Sequence, residues 1–364
     1  MLPLDRFKGK HFMQRSLCVL LALFLFTSSS ELASSQKRVH HYIFFNLDRQ
    51  RINEPSFINN GAIEGAQLKY TWRELEPAKG KYDFKAIHRD LEFLESKRKK
   101  LFIQLQDVSF GPEKINVPQY LRDDEYEGGV AAQYNIVSGD EEHATIGGWV
   151  AKRWNRKVQQ HFQLLLLALG REFDGRIAGI NLPETAIDFG ETGRLRPKDF
   201  AAERYVECVI ENMRALKRAF PKSVTMQYAN FMPGEWLPGS DKGYLKSVYK
   251  AAHDLGVGVG GPDLLPFRRG QLNHSYPLIR ASAGLIPTGI AVQEGNFSEP
   301  NPQNARRLAT RELLDFATNN LKVDYVFWCT EEPFYSREVL PMLTQLFGVR
   351  RSNSAVTHAQ DSAQ

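Results

Sequence analysis

Two glutamates carry the most chemistry in this sequence. Glu184 stands in GINLPET, directly behind a short apolar run, and Glu294 stands in IAVQEGN with the same placement further along the chain. A carboxyl that keeps its proton can give it to a leaving oxygen. A second carboxylate can attack the carbon left behind, or activate water to do so. Across a sugar ring, that pair is what glycoside hydrolysis requires. Asp107, Asp263, Glu331 and Glu332 are further carboxylates at comparable positions. Asp263, behind Gly-Gly-Pro, is a candidate for the pocket floor. Nine histidines raise the question of a metal, but His40 and His41 open a strand, His88, His161 and His253 fall in helical patterns, and no His-x-His or His-Glu-x-x-His spacing occurs. The expectation is no metal and no cofactor. A Gly-x-Ser-x-Gly elbow for a serine nucleophile is also missing.

These carboxylates matter only if the chain positions them together. From residue 41 onward, short β-rich runs alternate with helical patterns. The predicted strands are 41–47, 65–72, 101–108, 177–183, 223–231, 257–263, 287–295 and 323–330. The predicted helices are 83–100, 149–173, 200–220, 243–256, 275–284, 304–321 and 336–348. In the first helix, Phe84, Ile87, Leu91 and Leu94 recur at helical spacing. A long segment up to residue 147 interrupts the alternation, and insertions of this length are usually functional or disordered. Eight strands joined by crossover helices predict an α/β fold, a single-domain (β/α)8 TIM barrel. A doubly wound sheet would carry a glycine-rich phosphate turn after an early strand, and LDRQRINEP after the first strand contains no glycine.

In such a barrel the reactive groups project from the carboxyl ends of the strands. Those ends place Asn46, Asp48, Trp72, Arg73, Gln106, Asn181, Glu184, Tyr228, Asn230, Asp263, Gln293, Glu294 and Trp328 around one mouth. Sugar faces are apolar and stack on aromatic rings. Candidate platforms are Tyr70, Trp72, Tyr228, Phe231, Trp236, Phe297 and Trp328. Trp236 is the best of these outside an element, because MPGEWLPGS offers no regular core face.

The amino terminus has a different character. Arg6, Lys8, Lys10 and Arg15 precede the apolar run LCVLLALFLF at 17–26, and small residues follow. The run is too short for a membrane span, and its order is that of a secretory signal peptide with cleavage near Ala33-Ser34-Ser35. The expected organisation is a signal peptide at 1–35, a barrel at 36–350 and a disordered polar tail at 351–364. Cleavage removes four basic and two acidic residues from a chain of net charge +5, leaving +3. That small surplus is not the footprint of a nucleic-acid binder. The expectation is a secreted or periplasmic protein with no membrane contact after cleavage. Of three cysteines, Cys208 and Cys329 remain, expected as buried thiols. No sequence feature specifies an oligomeric state.

The segment GAQLKYTWRELEPAKGKYDFKAIHRDL, with Trp72, Glu76-Pro77, Gly80 and Tyr82-Asp83-Phe84, resembles a second-strand segment of clan A glycoside hydrolases, the beta-galactosidase-like families among them. The resemblance spans about residues 40 to 350 and implies a barrel with catalytic glutamates after strands 4 and 7. It implies Glu184 as acid/base and Glu294 as nucleophile of a retaining enzyme. It also implies Trp328 as the aromatic beneath the sugar. One departure stands out: clan members place Asn directly before the acid/base, to bind the sugar 2-hydroxyl, whereas here Asn181 precedes Glu184 by three positions. Asn53-Glu54-Pro55 matches the usual triplet but follows strand 1.

The sequence therefore predicts an exported glycosidase acting on an oligo- or polysaccharide. Asn181, Tyr228, Asn230, Trp236, Asp263, Trp328, Trp72 and Gln106 are its expected substrate-binding residues. A carbohydrate-binding barrel without activity, or a polysaccharide lyase or transglycosidase, are the alternatives.

Overall fold

A computed structural model describes residues 38–137 and 139–348. The expected signal peptide and polar tail lie outside the described residues. Eight strands form a closed, all-parallel barrel: β1 (His40–Phe44), β2 (Ile63–Thr71), β3 (Lys100–Gln106), β4 (Gly179–Leu182), β5 (Val224–Tyr228), β6 (Gly258–Gly261), β7 (Thr288–Val292) and β8 (Tyr325–Cys329). Each pairs with its neighbours in sequence, and β8 returns to β1 with Tyr42 opposite Phe327.

Alternation along a strand sends every second side chain inward. The lower lumen is aromatic: Phe102 meets Phe327 at 5.0 Å and Tyr42 at 5.8 Å between ring centres. β6 and β7 contribute Gly260 and Gly289 at this level, because a Cβ there would come within about 3 Å of the Met226 side chain. The upper lumen is polar. Gln67 from β2 donates through Nε2 to Asn181 Oδ1 (2.9 Å) and to Tyr228 Oη (3.1 Å), tying β2 to β4 and β5 across the barrel.

The crossover helices bury one apolar stripe each. In α1 (Lys85–Ser96) the stripe is Ile87, Leu91 and Leu94, and in α2 (Arg156–Phe173) it is Phe162, Leu165, Leu166, Leu169 and Phe173. Asn155 starts α2 by accepting from the amides of Lys157 and Val158. Helices α3 (Ala202–Ala219), α4 (Tyr244–Leu255), α5 (Ser275–Ser282) and α6 (Thr310–Asp315) follow in order.

Two expected helices begin later than predicted. Residues 149–151 belong to a strand, Thr145–Ala151, which pairs with Val108–Ser109 and Val130–Asn135. The long insertion is thus a small antiparallel sheet. Residues 304–309 contain a short bridge, Arg306–Arg307 against Pro300–Asn301, and α6 starts at Thr310.

The segment around Glu76 is a structural knot. Its buried carboxylate accepts from Trp72 Nε1, Tyr120 Oη and the Gly80 amide. Gly80 turns the chain at φ +66°. Cys208 and Cys329 are buried thiols, as expected. Among the described residues, no helix is long and apolar enough to cross a membrane.

Candidate active site

Glu184 is the second residue past β4, and its peptide is fixed from every side. Pro183 O accepts from Gln227 Nε2 (2.6 Å), and Glu184 O accepts from Arg153 Nη1 (2.7 Å). Thr185 closes the turn by bonding to Tyr228 O and Phe231 O. The Arg153 guanidinium is itself buried. It grips Asp107 at the end of β3 through two hydrogen bonds, of 2.8 and 2.5 Å, and also donates to Tyr205 Oη. Asp107 is thereby consumed in a structural ion pair.

The Glu184 side chain reaches Asn230, past the end of β5, whose Nδ2 donates to Oε2 at 2.6 Å. Burial pushes the Glu184 carboxyl up to about 7, Asn230 and the Arg153 charge oppose the rise, and the Asp263 charge adds to it. Part of the residue faces the cavity, yet its carboxyl lies deep enough among protein atoms for desolvation to dominate. A carboxyl tuned in this way keeps a proton near neutral pH and can donate it.

Glu184 borders a cavity of about 1110 Å³, walled by the inserted sheet (Tyr134), the loop after β4 (Arg196) and the loop after β5 (Phe231, Trp236). Trp236 is 58% exposed. It is held parallel to Phe231 at 5.8 Å and braced by His274 at 4.7 Å. His274 Nε2 accepts from the Leu237 amide and its Nδ1 bonds to Gly270 O, which fixes the ring. An exposed indole held flat at a cavity wall is suited to stack on a sugar face.

The other expected site residues fall into groups. Asp263, past the end of β6, is half-buried. Burial raises its carboxyl, while Asn296 and Arg268 oppose the rise. Asn296 stitches the β6 and β7 loops, donating to Asp263 Oδ1 and accepting from the Leu264 and Gln293 amides. Glu294 is exposed in the turn after β7, where its charge acts on Lys69 of β2 and Cys329 of β8. The carboxylate acting on Glu184 is Asp263. Asn181 and Tyr228 lie inside the barrel, engaged by Gln67. Gln106 points inward at the top of β3, with its side-chain oxygen buried and unpartnered.

Two tryptophans depart from expectation. Trp328 is fully buried on the outer face of β8, stacked near Phe297 and donating to His41 Nδ1. The inward row of that strand is Tyr325, Phe327 and Cys329, so alternation turns Trp328 away from the mouth. Trp72 is also fully buried, edge-on to Phe162 of α2 and bonded to Glu76. Neither ring is available to a sugar. Glu331 receives the Gly295 amide, and Glu332 pairs with Arg51. Among the described residues, no cluster of three or more His, Cys, Asp or Glu side chains could hold a metal. The sequence reading missed Arg153, Asn296, Gln67 and Lys69. Gln67 and Lys69 share the inward row of β2, a period-2 signal open to inspection. Arg153 and Asn296 act through contacts distant in sequence.

No family model matches the chain, and no curated protein matches it. Solved structures do. A beta-galactosidase from Bacillus circulans sp. alkalophilus aligns with a TM-score of 0.52 at 11% identity, over 81% of this chain and 50% of that one. Xylanase 10B from Thermotoga petrophila RKU-1, in complex with xylobiose, aligns at 0.44 and 12%, over 80% and 82%. A beta-galactosidase from Rahnella sp. R3 aligns at 0.45 and 10%, over 81% and 51%. The chain thus spans about half the length of the two beta-galactosidases. At such identity the likeness bears on architecture: the chain has a (β/α)8 barrel fold like that of the Bacillus circulans enzyme.

Proposed function

We propose that this chain is an exported glycoside hydrolase that cleaves an oligo- or polysaccharide with retention of configuration. The observation that carries the reading is Glu184: a desolvated carboxyl, raised to about 7 and oriented by Asn230, at the end of β4 on the wall of a large cavity. In this reading Glu184 protonates the glycosidic oxygen while the Glu294 carboxylate attacks the anomeric carbon. Water then enters, gives its proton to Glu184 and releases the sugar from Glu294. Trp236, backed by Phe231, is the platform for the leaving part of the substrate. Export rests on the basic-then-apolar order of residues 6–26.

A second reading is favoured by one observation. Asp263 is the carboxylate whose charge reaches Glu184, and as the second acid of the pair it would direct a water to the anomeric carbon with inversion.

The test is a panel of aryl glycosides and polysaccharides offered to wild type, Glu184→Gln, Glu294→Gln and Asp263→Asn, with the anomer formed first read by NMR. The proposal expects Glu294→Gln to lose nearly all turnover with substrate binding intact, and the product to keep its configuration. Full activity in Glu294→Gln, with loss in Asp263→Asn and an inverted product, moves the role to Asp263. Binding without turnover by wild type replaces the enzyme with a carbohydrate-binding barrel, and an unsaturated product identifies a lyase.

A further inference from the structure

The barrel has another hollow, at the end opposite the mouth. It measures about 650 Å³ and lies at the amino ends of β1, β2 and β3, between residues 58–64 and 96–100. A smaller one of about 210 Å³ shares Arg38, Gly61, Glu64 and Phe347 with it, so the two adjoin as one cleft. Five basic residues line it, Arg38 and the run Lys97-Arg98-Lys99-Lys100, against one acid, Glu64. Arg38, Lys97, Arg98 and Lys100 are exposed. Lys99 is buried and donates to the carbonyls of Asn60 and Ile63, both at 2.7 Å, which ties the two walls together. Glu64 is shared: its Oε1 accepts from Arg38 (2.9 Å) and bonds to His40 Nδ1 (2.7 Å), while Lys100 stands 3.8 Å from Oε2. Lys97 lies over the Phe93 ring at 5.7 Å rather than at a carboxylate. Arg98 has no ion pair among the described residues.

Basic residues near a helix carboxyl end offset the macrodipole. That accounts for Lys97 and Arg98 behind α1. It does not account for Arg38 ahead of β1 or Lys100 at the start of β3. Cations of one sign gathered in a concave surface focus their field and draw anions. Guanidinium groups suit a carboxylate or a phosphate through two parallel hydrogen bonds. Glu64 decides between these ligands. Burial opposes its ionised form, yet His40, Arg38 and Lys100 hold its carboxyl down at about 2, so it stays charged inside the cleft. A densely charged polyphosphate is repelled there. A ligand with hydroxyl groups beside its carboxylates can instead donate to Oε2. Phe347 adds an aromatic wall, and Gly61 admits it, because a Cβ there would come within 2.4 Å of the ring. Sugar faces pack against such rings.

We propose that this cleft is a binding site for an acidic saccharide, with Arg38, Lys97, Arg98 and Lys100 holding its uronate carboxylates and Glu64 accepting from its hydroxyl groups. The cleft lies at the other end of the barrel from Glu184 and takes no part in bond cleavage, so the proposal goes beyond the glycosidase reading and does not depend on it. Its role is to hold a charged glycan to the protein.

The experiment is calorimetric titration of the protein with a galacturonate tetramer, the neutral galactose tetramer and inorganic tripolyphosphate, at low and at physiological salt. Glu184→Gln serves as the background, so that no ligand is cleaved at the mouth. This protein is expected to bind the galacturonate tetramer in preference to the other two, and more weakly as salt rises. The double substitution Lys97→Gln and Arg98→Asn removes two exposed cations, and Asn suits the left-handed backbone at 98, where φ is +57°. It should weaken galacturonate binding by about 2- to 30-fold and leave the circular dichroism spectrum unchanged. Unchanged binding in this variant overturns the proposal, because the ligand then sits elsewhere. Absence of galacturonate binding overturns it too, as does tripolyphosphate bound as tightly through the same two residues, which makes the cleft a phosphate site. Should the double variant fail to fold, Lys100→Gln is read in its place. None of these readouts needs turnover, so the failure of this proposal and the failure of the glycosidase reading are separate results.

Discussion

Asn230→Ala isolates the contact that opposes the raised carboxyl of Glu184. The Asn230 amide donates to Oε2 at 2.6 Å and favours the ionised form. A hydrogen bond to a charged group contributes roughly 1.5–3 kcal/mol, and one pH unit corresponds to about 1.4 kcal/mol. Removing the donor therefore moves the Glu184 titration upward by about 1–2 units from its value near 7. A general acid works while protonated, so activity falls as pH rises through its pKa. The alkaline limb of kcat/KM in Asn230→Ala should shift to higher pH by that amount. The same shift is readable without a substrate, as the carboxyl carbon resonance that titrates near neutrality in wild type and disappears in Glu184→Gln. An unmoved limb, or one displaced toward acid, refutes the view that Asn230 holds the proton donor.

Three other outcomes follow from the geometry. Arg153→Met leaves Asp107 buried without its partner and should cost about 3–5 kcal/mol in urea unfolding; a loss below 1 kcal/mol would show that the Asp107–Arg153 pair is dispensable. Trp236→Ala should raise KM roughly 3- to 10-fold with kcat little changed, since the ring is exposed and its removal leaves the core intact; an unchanged KM removes it from the substrate path. Glu184→Gln should stabilise the protein at alkaline pH. The folded state holds a proton on Glu184 between about 4.5 and 7 that the unfolded chain has lost, so wild-type stability declines as pH rises through that window. The variant escapes this decline and gains at most about 3 kcal/mol relative to wild type at pH 8, and nothing of this kind at pH 4.

Periodicity made the barrel legible. All eight strands are where short β-rich runs predicted them: most read as nearly continuous apolar runs between lumen and helices, while β2 and β3 alternate because Gln67, Lys69 and Gln106 face the polar upper lumen. The errors came where pairing is non-local. Trp149, Val150 and Ala151 extend the helical pattern of α2 backwards, but their strand partners are Ser109, Val108 and Val130, and the helix waits for Asn155 to cap it. Glu184 was legible as a strand-end carboxylate. Its tuning was not, because Asn230, Arg153 and Asp263 come from three other places in the chain. Trp328 shows how narrow the margin is. One residue along β8 separates the lumen from the helical shell, and a platform expected at the mouth became a core residue hydrogen-bonded to His41.

The Arg153 clasp also bears on how the molecule opens. The guanidinium sits just past the last strand of the inserted sheet and joins it to the end of β3 through two buried bonds and to the end of β4 through a partly buried one. A wall rooted in this way cannot swing aside without exposing a charged pair. Its amides should exchange with solvent deuterium at the slow rate of the barrel strands, as part of one cooperative block. Ligands would then enter and leave over a fixed rim, with residence times set by contact strength rather than by a gate.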